Sequence, residues 1–168
     1  MTSRADLPYR PCAGAVLINR AGLVFVGHRA DLEGSPEAAP WQMPQGGIDD
    51  GEAPLDAARR ELWEETSVRS VELLGEAPEW YSYDVPDELA TGRFQRKWRG
   101  QTQKWFAFRF LGGDGEIDIE RPGGGAHPAE FSRWAWKPLA EVPNLVVAFK
   151  RPIYEKVAAV FADLAVPA

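Results

Sequence analysis

The stretch from Gly46 to Val68, GGIDDGEAPLDAARRELWEETSV, decides the fold: a double glycine and an acidic turn run straight into a segment dense in helix formers. Pro54 suits a first helical turn, where its missing N–H removes no needed hydrogen bond. The residues after it are mostly Leu, Ala, Arg and Glu, all of high helix propensity, so a helix is expected over 54–66. At about 100° per residue, Glu61, Glu64 and Glu65 fall within one narrow arc, while Leu55, Leu62 and Thr66 point about a third of a turn away. Three carboxylates on one face repel and raise each other's pKa values. Arg59 and Arg60 adjoin them but cannot neutralise all three. Two readings stand: a solvated acidic face, or a site for a hard divalent cation with oxygen ligands, Mg²⁺ or Mn²⁺.

The spacing around the three carboxylates carries a resemblance that bears on the choice. Gly46 is followed after five residues by Glu52, after seven more by Arg60-Glu61-Leu62-Trp63-Glu64-Glu65, and after two more by Val68. This pattern resembles the Nudix box, here residues 46–68. Ser67 departs from it, standing where the family has Gly. Just past a helix end a left-handed residue is common, and Ser there costs roughly 1 kcal/mol more than Gly. The resemblance implies an α+β fold, an α/β/α sandwich around a mixed β-sheet, with the box as loop-helix-loop holding divalent metal against a diphosphate. It also implies that Glu61, Glu64 and Glu65 are metal ligands and catalytic groups, that the Gly46 carbonyl faces the metal, and that Glu52 and Arg60 form a structural pair anchoring the loop to the helix.

Composition limits the alternatives. A chain of 168 residues has the size of one ordinary domain and can bury a core without staples, so one domain over 1–168 is expected. Cys12 is the only cysteine; no internal disulfide can form, which fits a reducing cytoplasm. The start, MTSRADLPYRPC, lacks the apolar core of a signal peptide, and no apolar run approaches the roughly 20 residues that span a bilayer. The net charge of −6 argues against a protein that coats long nucleic acid, though short contacts at one end remain open. With two histidines, neither a His-rich zinc site nor a Ser-His-Asp arrangement suggests itself. No membrane and no stable protein partner are implied.

In chain order, residues 10–29 read as strand, tight turn at Asn19-Arg20-Ala21-Gly22, and strand, with Arg10 and Arg29 at the outer ends. Residues 30–40 are a polar loop punctuated by Pro and Gly. WQMPQGG (41–47), with Gln45 in it, and YRPCAGAVLINRAG (9–22) narrow the likeness to the RNA pyrophosphohydrolase and dinucleoside polyphosphate hydrolase branch. Residues 71–85 suggest a strand, a turn at Gly75–Pro78 and a second strand carrying Tyr81 and Tyr83, either core or a stacking platform for a base. From Thr91 to Gly113 there are six basic residues, Arg93, Arg96, Lys97, Arg99, Lys104 and Arg109, interleaved with Phe94, Trp98 and Trp105 and without Asp or Glu; a polyphosphate with an attached base calls for such a stretch. In the branch it resembles, GQTQKWFAF borders the active site, making Gln103 and Lys104 candidates. Residues 112–128 read as loop around a short Ile117–Ile119 strand. The segment EFSRWAW resembles the stretch with a further metal-binding or base carboxylate, here Glu130. A helical turn is expected over Pro138–Val142, and a final core-packing helix from Pro152. The preceding Phe149-Lys150-Arg151 resembles a segment in which Phe149 and Arg29 would sandwich a base.

The implied reaction is hydrolysis of a phosphoanhydride by water activated on metal. The substrate is a nucleotide or an RNA 5′ end: pyrophosphate removal from triphosphate RNA, or, as the alternative, splitting of a dinucleoside polyphosphate. The general base is Glu64, Glu65 or Glu130. A nucleotide sensor without turnover is the rival class, and three mutually repelling carboxylates count against it.

Overall fold

A computed structural model describes residues 3–32, 41–89 and 97–168. In chain order its strands are β1 (Tyr9–Ile18), β2 (Val24–Arg29), β3 (Trp41–Gln42), β4 (Gln45–Gly47), β5 (Val71–Glu76), β6 (Tyr81–Asp84), β7 (Gly100–Phe110) and β8 (Phe131–Lys137). Among the described residues, α-helices span Pro54–Thr66 (α1) and Arg151–Phe161 (α2). The apolar run Cys12–Ile18 is buried throughout, as a strand covered on both faces requires. It makes β1 the centre of one sheet, which pairs parallel with β7 from Tyr9↔Gly100 to Ile18↔Arg109 and antiparallel with β2 and β4. β3 and β8 extend the sheet through β2, so it is mixed, as expected. The first turn closes as its sequence asks: the Asn19 side-chain oxygen accepts from the Ala21 and Leu23 amides, and Gly22 takes a φ of 85° that suits Gly.

Alternation along the strands divides the core between two helices. Val16, Val26, Trp105 and Ala107 pack with Ile153, Val157 and Phe161 of α2. Ala15, Leu17, Phe106 and Phe108 pack with Ala57, Ala58 and Leu62 of α1. These layers give the α/β/α sandwich, with α1 over the residues expected for it.

Of the local expectations, the two strands within 71–85 form and the strand over 117–119 does not. The strands over 71–76 and 81–84 both pair antiparallel with β7, β5 against Ala107–Phe110 and Phe106, β6 against Gly100–Gln103. β7 is 11 residues long, enough edge for both end to end, and the Ala77 amide bonds the Trp105 carbonyl between them. Residues 117–119 form no strand. Their backbone serves the end of α1, where the Asp118 amide donates to the Thr66 carbonyl and the Asp118 carbonyl accepts from the Ser67 hydroxyl, while Ile117 and Ile119 join the α1-side core. A 3-10 turn at Leu139–Asn144 stands where a helical turn was expected. Loop residues 33–40 and Arg93, Phe94 and Arg96 of the basic stretch lie outside the described residues.

Candidate active site

The loop before α1 is tied to the helix by one guanidinium. Arg60 Nε and Nη2 donate to the two Glu52 oxygens at 2.8 and 2.9 Å, Nη2 also to the Gly47 carbonyl at 2.7 Å, and Nη1 to Glu61 Oε1 at 2.9 Å and Glu64 Oε2 at 3.1 Å. The planar fork of Arg alone reaches so many acceptors at once. Hydrogen bonding by Arg60 holds the Glu52 carboxyl below its ordinary range. The helix ends at Ser67, whose φ of 69° is left-handed. Its hydroxyl donates to the Asp118 carbonyl at 3.0 Å and accepts from the Gly123 amide at 3.1 Å, a use of the side chain that the bare count of a lost glycine does not foresee.

Arg60 thus serves two of the three helix carboxylates and leaves the third. Glu65 is 3% exposed, and its Oε2 accepts from the Gln45 amide at 3.0 Å. Burial first, then the charges of Glu61 and Glu130, raise its pKa well above the ordinary value. Glu61 is raised too, by burial first and against the pull of Arg60. Both acids open with Glu130 into a cavity of about 300 Å³ that also collects Arg10, Arg29 and Lys150. Gln42, Gln45, Gln101, Gly46 and Gly47 complete its wall. A Cβ at Gly46 would strike the Glu61 carboxylate and one at Gly47 the Arg10 guanidinium, so the double glycine lets backbone meet charged groups edge to edge.

The cations differ in what holds them. Arg29 is clamped by Asp31 at 3.0 and 2.6 Å. Arg10 forms no ion pair among the described residues. Lys150 is 7% exposed, lies 3.3 Å from Gln42 Oε1, and is pushed down to about 8 by burial and then by Arg29. No three His, Cys, Asp or Glu side chains among the described residues stand as a ready-made cation cage, because Glu61 and Glu64 turn to Arg60 and Glu65 to Gln45. The donor set still fits a hard divalent ion: clustered carboxylate oxygens on Glu61, Glu65 and Glu130, with Glu65 buried and without a cationic partner among the described residues.

Of the residues singled out in the sequence, the cavity gathers Gly46, Glu61, Glu65, Glu130, Arg10, Arg29 and Gln45. Glu64 stands beside it, paired with Arg60, its Oε1 3.9 Å from His127 Nε2. Gln103 sits behind the wall, donating to Gln101 at 2.9 Å and Gln45 at 3.4 Å. Tyr83 is buried, its ring 5.5 Å from that of Phe149. Alternation along β7 turns Lys104 to the opposite face from Gln101 and Gln103; its Nζ binds the Ala77 carbonyl at 2.5 Å and Glu76 at 3.3 Å. Sequence reasoning missed Gln42, Gln101, Lys150 and His127. Gln101 was findable, two residues from Gln103 on one strand face. Lys150 carried no signal, since its burial depends on the packing of distant segments.

The family model described as NUDIX domain matches residues 8–157. A relative named RNA pyrophosphohydrolase from Bradyrhizobium sp. (strain ORS 278) is 57% identical over 166 residues, covering 98% of this chain and 99% of the relative. One of the same name from Mesorhizobium japonicum is 56% identical over 165 residues, covering 96% and 95%. Among solved structures, a C. elegans Ap4A hydrolase binary complex is similar at TM-score 0.60 and 18% identity, over 92% of this chain and 98% of the other. An E. coli dihydroneopterin triphosphate pyrophosphohydrolase is similar at TM-score 0.66 and 17% identity, over 93% and 99%. At such identities these two structures speak for the fold alone.

Proposed function

This chain belongs to the Nudix family, and on that premise we propose that it is a cytoplasmic, single-domain hydrolase that removes pyrophosphate from the 5′-triphosphate end of RNA with Mg²⁺ or Mn²⁺. The observation that carries the chemistry is the buried Glu65 carboxylate in one cavity with Glu61 and Glu130, beside the Arg10 and Lys150 cations. A sensor without turnover has no use for a buried acid set beside two further carboxylates that repel it. The relatives' name supports the RNA end as substrate. No helix among the described residues is long and apolar enough to cross a membrane, and the single buried cysteine suits a reducing compartment.

Glu61, Glu64, Glu65 and Glu130, with the Gly46 carbonyl, would hold the cations. When bound, such ions shield phosphate oxygens and make water a stronger nucleophile. Arg10 and Lys150 supply positive charge for the phosphate chain. Arg29, on the cavity wall, and Phe149, whose ring lies 5.5 Å from that of Tyr83, would meet the base. Gln45 and Gln101 offer amide donors, positioned by Gln103. The proton of the attacking water passes to one carboxylate of the cluster, Glu64, Glu65 or Glu130, each of which can accept it.

One panel tests the reading: wild-type chain with Mg²⁺ against triphosphate RNA, dinucleoside tetraphosphate and mononucleotides. Pyrophosphate release from the RNA with the highest kcat/KM is expected. A higher kcat/KM on the dinucleoside tetraphosphate would move the assignment to that substrate.

A further inference from the structure

On the other flank of the box helix lies a second cavity, of about 340 Å³, within the size range of small-ligand pockets. Its wall is apolar, formed by the buried Leu62 and Val68 with Trp63 and Val71, and its rim carries Arg59, Arg60 and Arg69. In a chain of net charge −6 that gathering of guanidinium groups runs against the average. Arg60 is consumed by Glu52, Glu61 and Glu64. Arg59 and Arg69 are not: both are exposed, and neither forms a side-chain ion pair among the described residues. Each instead lies over an aromatic ring, Arg69 4.2 Å from the Trp63 centroid and Arg59 5.2 Å from that of Phe108.

A guanidinium laid on a ring keeps its N–H edge outward and is weakly hydrated, ready for a phosphate or for stacking under a base. Apolar wall, stacked planes and unpaired positive charge together are what single-stranded nucleic acid uses. The place also fits. The cavity and the active site share α1, whose width is about 10–12 Å with side chains, and Arg60 touches both.

We propose that this cavity is a second nucleotide subsite, in which an internal nucleotide of the RNA rests its base on the Trp63 side and its phosphates on Arg59 and Arg69. The choice of RNA as occupant rests on the proposed function. The site itself is tested without turnover, using a 5′-hydroxyl RNA oligomer that offers no anhydride to cleave. Its binding to the full chain is followed by fluorescence anisotropy over a salt series, for wild type and for Arg59→Gln/Arg69→Gln. The expected result is an affinity at least fivefold lower in the double variant. The slope of log K against log salt should also flatten by about 1.4, two lost phosphate contacts at roughly 0.7 each for single strands. Equal affinity and slope, or no binding by the wild type, overturns the proposal. AMP binding lost in the double variant while oligomer affinity stays put would assign the cavity to a free nucleotide and overturn the RNA assignment. Failure of the proposed function would appear elsewhere, as wild-type chain releasing no pyrophosphate from triphosphate RNA.

Discussion

The amide of Gln45 donates a 3.0 Å hydrogen bond to Oε2 of Glu65, fastening the loop strand β4 to the last turn of α1. It fixes the orientation of a carboxylate that burial and the charges of Glu61 and Glu130 disfavour. A buried carboxylate set among like charges is a common mark of functional groups.

Glu65→Gln removes that charge while keeping the shape. Turnover should fall by at least two orders of magnitude, and the metal-free protein should melt at a higher temperature than wild type. Steady-state assays with Mg²⁺ and thermal melts in chelator check both; a lower melting temperature would mean that the acid serves the fold.

Gly46→Ala places a Cβ on the Glu61 carboxylate, the end of a flexible side chain. The fold should survive, with Glu61 displaced. Activity should drop at least tenfold while the circular dichroism spectrum stays that of wild type.

Arg60→Lys keeps the charge but not the fork that reaches Glu52, Gly47, Glu61 and Glu64. Chemical denaturation should show a loss of about 2 kcal/mol. Glu52→Gln should lose less, because its change leaves Arg60 its other partners.

Lys150, pushed down to about 8, has a pKa near 10.4 in the unfolded chain. Between those values the unfolded state binds more protons, so the contribution of Lys150 to stability rises with pH across that window; below about 8 the cost of burying its charge is present in full. Lys150→Met should remove this rise and stabilise the metal-free protein at neutral pH. Melting curves from pH 7 to 10.5 for both proteins measure the difference, which should shrink as pH increases.

Ser67 separates backbone from side-chain effects. Ser67→Gly relieves the left-handed φ, worth roughly 1 kcal/mol, but forfeits the hydroxyl bonds to Asp118 and Gly123, so its net change should be near zero. Ser67→Ala keeps the strain and loses the bonds, and should cost about 1–2 kcal/mol in urea melts.

Much of this molecule is legible locally. The helix over 54–66 follows from propensity and Pro54, and the central strand from the unbroken apolar run Cys12–Ile18. The pairing of β5 and β6 was not legible, since any free strand edge would accept them and only the length of β7 offers both a place. Nor was Ile117–Ile119, whose β-branched residues suit a strand but whose backbone is taken up by the end of α1.

By itself the sequence determined that Glu61, Glu64 and Glu65 share one side of a helix behind a double glycine, because helical geometry repeats every 3.6 residues whatever surrounds it. Only the tertiary structure decided that Arg60 would take up Glu61 and Glu64, and that Glu65 would be buried facing Glu130, Arg10 and Lys150. Burial and charge neighbours are set by contacts between segments far apart in the chain, and no local pattern encodes them.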